Sequence, residues 1–248
     1  LRYFGVRLKE TNVDLRLNSA PTAAQLSSGD FDEVVVATGV KPRTLEIPGI
    51  YRPEVLRYDQ ALSNEHAIGA RVLVLGAGAI AFDMVEFLLG EAPHQPPALA
   101  DFATEYGLDT SAASAGGRKG KPVPMAARRQ VTLLQRSDKR PGSSLALTTG
   151  WIRRDKALRF GVKILTGVAA QRIDHAGLHF QAADGTATTL PFDTLILCIG
   201  QESVRGLADE LRTLAPQLPV HVIGGAHTAA ELDAKAAIAQ ASRLALSI

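Results

Sequence analysis

Gly76, Gly78 and Ala81 stand in the spacing G-x-G-x-x-A, directly after the apolar run Arg71-Val72-Leu73-Val74-Leu75 and ahead of an apolar stretch that continues to about Leu89. A buried strand, a tight turn and a helix in that order form a phosphate-binding device. The first glycine permits the turn, the second lets the backbone approach a pyrophosphate, and Ala81 lets the helix pack closely on the strand. The helix start, at Ala79 and Ile80, offers free N–H groups and a partial positive charge to the phosphates. Gly76, Gly78, Ala79, Ile80 and Ala81 are therefore candidate cofactor contacts. A glycine-rich turn that binds nothing shares the same letters; the strand before and the helix after are the context that selects dinucleotide binding.

NAD-specific sites place an acid at the end of the second strand, about 20 residues past the glycines, where it binds the ribose 2′-hydroxyl. That acid is missing here. The second strand reads Gln130-Val131-Thr132-Leu133-Leu134 and runs into Gln135-Arg136, 60 residues beyond Gly76, with Lys139 and Arg140 close behind. A guanidinium holds phosphate bidentately, so Arg136 and Lys139 favour NADPH, with its 2′-phosphate, over NADH. The charge distribution agrees. The net charge is only +2, yet residues 118–163 hold thirteen Lys or Arg against Asp138 and Asp155, a segment charge of +11 that leaves −9 elsewhere. Such asymmetry points to an anionic ligand docking at one region. The competing readings are a solvated face, a partner interface, and an Arg136 that is simply a surface arginine. No nucleic-acid partner is expected: aromatic residues make up 5% of the chain, and only Trp151 and Phe160 interleave with the basic cluster, so stacking platforms are scarce.

Gly200 closes the apolar strand Leu195–Ile199. Rossmann-type folds place ligands in the crevice at the carboxyl ends of strands, which makes Gly200 a candidate nicotinamide contact. Trp151, after Thr148-Thr149-Gly150, reads either as a wall of that pocket or as a helix anchor in the core. Cys198, inside the strand, reads as a small core hydrophobe. Asp83 and Glu86 on the first cofactor helix read as solvent-facing or capping. No catalytic residue is expected, because hydride transfer between cofactors needs position and electrostatics rather than a side-chain acid or base. The six histidines show no ligand spacing, which predicts no metal, and no G-x-S-x-G suggests hydrolysis.

These residues need elements to hold them. Residues 13–17 alternate like a half-buried strand. Residues 34–39 (Val-Val-Val-Ala-Thr-Gly) and 220–223 (Val-His-Val-Ile) read as buried parallel strands ending in glycine. Residues 71–75, 130–134, 162–165 and 195–199 add further strands, with helices over 79–89, about 150–160 and about 229–246. Residues 92–129, rich in Pro, Ala, Gly and Ser, read as an insertion with one short helix, and 168–190 as a small antiparallel excursion turning at Asp184-Gly185. Strands alternating with helices mean an α/β fold with parallel sheets. The 46% hydrophobic content suits a globular protein. No apolar run is long enough for a membrane span. The start lacks a basic region followed by an apolar one, so no secretory signal is expected and a cytoplasmic protein is the default. One cysteine permits no internal disulfide, redox dithiol or four-cysteine cluster. The chain starts at Leu1 and leads straight into a strand-like stretch, which reads as the interior of a longer polypeptide.

Val34–Gly39, followed by Pro42-Arg43 and Ile47-Pro48-Gly49, and the terminal Val222-Ile223-Gly224-Gly225 with its helix resemble the two-dinucleotide flavoprotein oxidoreductases. That resemblance implies FAD contacts at Ala37, Thr38, Gly39, Gly224 and Gly225, where a bare backbone lets a flat or phosphorylated ligand approach. Gln130–Arg154 and Val220–Ile248 sharpen it: the chain is similar to the C-terminal part of the bacterial NADPH-dependent 2,4-dienoyl-CoA reductases, relatives of trimethylamine dehydrogenase and the old yellow enzyme group. The resemblance runs over essentially all 248 residues. It implies a Rossmann-like NADPH-binding domain, 60–198, inserted in a partial FAD-binding domain, 1–59 and 199–248. It also implies hydride transfer from NADPH to FAD, serving in the parent enzyme the reduction of 2,4-dienoyl-CoA in fatty acid β-oxidation. FMN, a 4Fe-4S cluster and the enoyl-CoA site belong to an upstream barrel. The family commonly has an acid near the terminal Gly-Gly to bind the flavin ribitol, and His227 stands at about that place. Two alternatives remain: a nucleotide-binding module inactive on its own, and the reductase half of another amine or enone flavoprotein.

Overall fold

A computed structural model of the chain describes residues 2–248 apart from 64, 91–97, 112, 121–123, 125–126, 144 and 231–232. Following the chain, α1 (Arg2–Glu10), α2 (Ala23–Ser27), β1 (Val34–Val36) and β2 (Val40–Pro42) come first. They are followed by β3 (Val55–Arg57), α3 (Tyr58–Leu62), β4 (Arg71–Leu75), α4 (Ala79–Leu89) and α5 (Leu99–Tyr106). The middle of the chain supplies β5 (Gln130–Leu134), α6 (Gly150–Arg159), β6 (Lys163–Leu165), β7 (Ala169–Asp174), β8 (Gly177–Gln181) and β9 (Ala187–Leu190). Last are β10 (Thr194–Leu197), β11 (Gln201–Ser203), α7 (Gly206–Leu214), β12 (Val220–Val222) and α8 (Ala234–Ala245). The chain forms two compact units, Pro42–Gln201 and Leu1–Lys41 with Glu202–Ile248.

In Pro42–Gln201 a five-stranded sheet runs in the order β3-β10-β4-β5-β6. Its pairs are parallel, with Arg71 opposite Gln130 and Leu75 opposite Leu134, and with Leu195 opposite both Val55 and Leu73. Successive side chains of a strand point to opposite faces, so each strand feeds two cores. Val72, Val74, Val131, Leu133 and Ile196 pack with Phe82, Met84, Val85 and Leu88 of α4 and Ala157 of α6. Leu73, Leu75, Leu134, Leu195 and Leu197 pack on the other side with Ile173, Leu178 and Phe180 of the antiparallel β7-β8-β9 meander. With both faces covered, the strands read as continuous apolar runs, as buried parallel strands do. The turn at Asp184-Gly185 sits between β8 and β9 as the sequence suggests, its Asp184 carboxylate accepting from the Thr186 amide at 2.9 Å.

The unit boundary differs from the sequence expectation of 59/60. Residues 42–59 belong with the sheet because β3 pairs with β10 and because residues 48–49 dock on β7. The Ile173 amide donates to the Pro48 carbonyl at 2.8 Å, and Gly49, at φ +85°, lies so close that a Cβ there would be 2.0 Å from the Ile173 carbonyl oxygen. The second boundary falls at 201/202 instead of 198/199. Within 92–129, α5 is held by Arg159 of α6. The Arg159 side chain is 8% exposed, pairs with Asp155 at 3.0 Å, and donates to the Glu105 carbonyl at 3.0 Å. Its guanidinium lies 4.7 Å above the Tyr106 ring.

In the other unit, β1 and β12 form a two-stranded parallel sheet with Val34 opposite Val220 and Val36 opposite Val222. A small core of Ala23, Val36, Ala208 and Leu211 binds it to α2 and α7. Thr22 and Gln25 cap α2 reciprocally, which fixes where that helix starts. Three expectations fail here. Residues 13–17 form no strand: Val13, Leu15 and Leu17 are 50%, 57% and 75% exposed. An alternating run becomes a strand only beside a neighbour that supplies its ladder, and no described strand pairs with this one. β1 stops at Val36 and is not buried throughout, since Val35 is 42% exposed. The terminal helix starts at Ala234, where the Asp233 carboxylate caps it by accepting from the Ala236 amide at 2.6 Å, and α7 is a helix the alternation of the sequence did not announce. No described helix is long and apolar enough to cross a membrane.

Leu133, fully buried between β5 and α4, tests the first core. Leu133→Ala is expected to cost about 2–5 kcal/mol in a urea-unfolding measurement, from lost transfer energy and the cavity left behind.

Candidate functional site

The glycine turn is built by a steric constraint. Gly76 has φ +124°, and a Cβ on it would lie 2.1 Å from the Cys198 carbonyl oxygen at the end of β10. Its amide donates to the Leu134 carbonyl at 2.7 Å. The turn therefore lies across the ends of β4, β5 and β10, and only glycine fits. Gly78 caps α4 with extended backbone and no side-chain cap, so the amides of the first helical turn, from Ala79 onward, keep no intrahelical partner and stay open to a ligand. Nothing lies within 4 Å of a Cβ built on Gly78. Ala81 is fully buried and Ile80 packs against the core, which seats α4 tightly on β4.

Gly76 and Gly78 line a cleft of about 620 Å³, together with Arg43, Gln135, Arg136, Ser143, Cys198 and Gly200, whereas Ala79, Ile80 and Ala81 lie outside its lining. Gly200 has nothing within 4 Å of a built Cβ. Arg136 is exposed and makes no hydrogen bond or ion pair among the described residues. The structure thus brings together Gly76, Gly78, Arg136 and Gly200 on one cleft. Lys139 is exposed and does not line it; its carbonyl is instead taken by Gln135 Nε2 at 2.6 Å. Gln135, 9% exposed, is a lining residue that sequence reasoning missed. Its only signal was that the strand ends in a polar residue where the family of NAD sites carries an acid.

The fit to a dinucleotide rests on this geometry: bare backbone at Gly78 and Gly200 and the Arg136 guanidinium on one cleft, with the uncapped start of α4 directly after Gly78. The rest of the basic segment does not converge there. Arg153 pairs with Asp83 and Lys156 with Glu86, which clamps α6 onto α4, and Arg159 is committed to Asp155 and Glu105. Asp83 and Glu86 are thus solvent-facing, as the sequence suggests, and each also pairs with a cation of α6. Exposed pairs of this kind contribute little to stability, but they neutralise their partners. What stays uncompensated beside the glycine turn is the charge at 136–140.

In the other unit, Ala37, Thr38 and Gly39 follow β1, and Gly224 and Gly225 follow β12, so the parallel pairing brings both sets to one end of that sheet. Much of their polar capacity is spent internally. The Thr38 hydroxyl donates to the Val204 carbonyl at 2.6 Å, and the Gly224 amide donates to Gln240 Oε1 at 2.7 Å. Arg205 donates to the carbonyls of Ala226 and His227. Gly39 keeps open space around a built Cβ, and Gly225 is buried.

Trp151 is 59% exposed, with its indole N–H on the Thr148 carbonyl at 3.0 Å, so it is neither a pocket wall nor a core anchor. Cys198 is 6% exposed, and burial pushes its thiol up to about 12. A thiol so placed is a small hydrophobe. Among the described residues no group of three or more His, Cys, Asp or Glu converges to hold a metal.

The sequence profile of a family described as pyridine nucleotide-disulphide oxidoreductase matches residues 5–216. Among curated proteins, a bilirubin reductase of Mediterraneibacter gnavus is 33% identical over 88 residues, 36% of this chain and 14% of that protein. A cinnamate reductase of Clostridium sporogenes is 33% identical over 78 residues, 32% of this chain and 11% of that protein. Among solved structures, a 2-naphthoyl-CoA reductase in complex with 2-naphthoyl-CoA superposes with a TM-score of 0.73 at 20% identity, covering 100% of this chain and 31% of that one. At that identity the likeness is one of fold. The chain spans less than a third of each of these proteins.

Two measurements check the cleft. Gly76→Ala forces a methyl group into the Cys198 carbonyl and is expected to cost about 2–4 kcal/mol of stability by denaturant titration. Cys198 is expected to resist iodoacetamide in the native protein and to react after unfolding. Its folded pKa lies above the unfolded value of about 8.5, so the native state keeps a proton the unfolded state releases. That contribution to stability is present below about pH 8.5 and is lost as the pH rises towards 12.

Proposed function

The chain belongs to the pyridine nucleotide-disulphide oxidoreductase family, and from that premise we propose that it is the electron-input portion of a larger flavoprotein reductase, taking a hydride from NADPH and passing it to FAD. The observation that carries the reading is Arg136, which has no partner among the described residues and lines the same cleft as the Gly76–Gly78 turn that leads into α4. NADPH, when bound, supplies the hydride and the flavin accepts it. The chain's own residues do the positioning. The open amides after Gly78 hold the pyrophosphate. Arg136, with Lys139 adding charge behind it, takes the 2′-phosphate. The bare backbone at Gly200 leaves room for the nicotinamide, and Cys198, held protonated by burial, adds no charge to the cleft it lines. No side chain is assigned a proton transfer.

We assign residues 60–198 to NADPH, together with 42–59 and 199–201 that share their compact unit, and the remainder of 1–59 and 199–248 to FAD. The resemblance to the 2,4-dienoyl-CoA reductases supports a parent enzyme in which a barrel with FMN and a 4Fe-4S cluster reduces an enoyl-CoA during fatty acid β-oxidation in the cytoplasm. The reductases of bilirubin, cinnamate and 2-naphthoyl-CoA among the similar proteins support an acceptor with conjugated double bonds.

Replacing Arg136 and Lys139 together by alanine is expected to raise the Kd for NADPH by about 10–100-fold, the worth of one or two charge-assisted contacts, and to change that for NADH by less than about 2-fold. Titration of both cofactors checks it; equal weakening of the two would remove the 2′-phosphate assignment.

A further inference from the structure

The turn that carries Arg136 is not free-standing. Gln135 Nε2 donates to the Ser137 carbonyl at 3.0 Å, the Ser137 hydroxyl at 2.9 Å and the Lys139 carbonyl at 2.6 Å. Two N–H bonds serve three acceptors, so one is shared. The main chain of the same residue donates to the Leu165 carbonyl at 2.8 Å and accepts from the Val168 amide at 2.9 Å. The Gly167 amide in turn donates to the Ser137 carbonyl at 3.2 Å. Residue 135 thus joins the end of β5, the segment between β6 and β7, and the turn 136–139. At the far side of the loop the Gly142 amide donates to the Ala77 carbonyl at 3.3 Å, on the glycine turn itself. Arg136 lies between these two ties, and among the described residues its own guanidinium has no partner to hold it.

We propose that Gln135 is a positioning residue for recognition of the 2′-phosphate: its carboxamide folds the turn 136–139 so that the Arg136 guanidinium stands ready on the cleft before the cofactor arrives. This rests on the NADPH reading of the cleft. The argument is one of preorganisation. A long, unpaired arginine on an untied turn must be ordered at the moment of binding, and that ordering subtracts from affinity. A carboxamide is suited to the task because each of the three acceptors is an oxygen, and it offers donors without adding a charge beside the phosphate. The consequence is selective. NADH has no 2′-phosphate for the turn to read, so releasing the turn weakens NADPH and leaves NADH nearly unchanged. A glutamine that merely fills the core weakens both cofactors alike, through stability.

The test uses the full-length protein with its flavins bound. Gln135→Met keeps the length of the side chain and removes its N–H groups. It is expected to raise the Kd for NADPH about tenfold while the Kd for NADH changes less than about 2-fold, with a thermal unfolding midpoint measured alongside. Gln135→Asn keeps a carboxamide but shortens its reach to the Lys139 carbonyl; it is expected to lose the same discrimination and serves if the methionine variant does not fold. Arg136→Ala is run in parallel. If Arg136→Ala abolishes the preference for NADPH and both Gln135 variants retain it, the positioning role is overturned and the cleft reading stands. If NADPH and NADH weaken by the same factor in the Gln135 variants, the residue is structural only. If the unaltered protein shows no preference for NADPH, both readings fall together.

Discussion

The contact between the glycine turn and the end of β10 governs the cofactor cleft. A side chain at position 76 would put its first carbon 2.1 Å from the Cys198 carbonyl oxygen. Because that carbon is absent, β4 and β10 end at the same level, the amide of residue 76 reaches across to β5, and α4 starts directly above the sheet with its first amides unclaimed. The buried faces on both sides fix the strands so firmly that the turn has nowhere to retreat. Val72 and Val74 are committed to α4, and Leu73 and Leu75 to the meander. The openness of the cleft is thus a product of the rigidity around it.

Charge follows the same logic of commitment. Arginines and lysines in the segment 118–163 outnumber acids heavily, but helix–helix packing decides which of them stay available. Arg153 and Lys156 face α4 and meet its acids, while Arg159 turns inward to hold α5. A helix presents residues three and four apart on one face, so residues 153 and 156 dock together against Asp83 and Glu86. The loop after β5 sits at the carboxyl end of the sheet, away from those helix faces, and its cations keep their charge for something else. The surplus that a ligand meets is therefore local, a few residues and not a broad patch.

The strands and helices that flank the glycine turn were legible in the sequence, since continuous apolar runs of strand length and a small-residue turn leave few other readings. Elements whose character depends on a partner were not. Residues 13–17 have the alternation of a strand and no neighbour to pair with. The sheet-bearing unit starts at Pro42, 18 residues before the 59/60 boundary that the resemblance implied, because the prolines at 42, 48 and 53 punctuate the chain without ending the unit: Gly49 and β3 cling to strands more than 100 residues away. Trp151 was ambiguous by type and proved to be a surface residue tied to its own turn.

At the candidate site the sequence by itself determined the kinds of group present: a turn that tolerates only glycine, a helix start free of side-chain caps, and cations where an acid would read a ribose. Those follow from local sterics and from residue identity. Only the tertiary structure decided which groups meet. It set Arg136 on the cleft and Lys139 beside it, spent the Thr38 hydroxyl and the Gly224 amide on internal partners, and made Gln135 the joint of the loop. The physical reason is that a hydrogen bond or an ion pair has a single set of partners in space. A sequence gives the donors, acceptors and charges, but which of them are consumed inside the protein and which remain for a ligand depends on distances that exist only once the sheet is assembled.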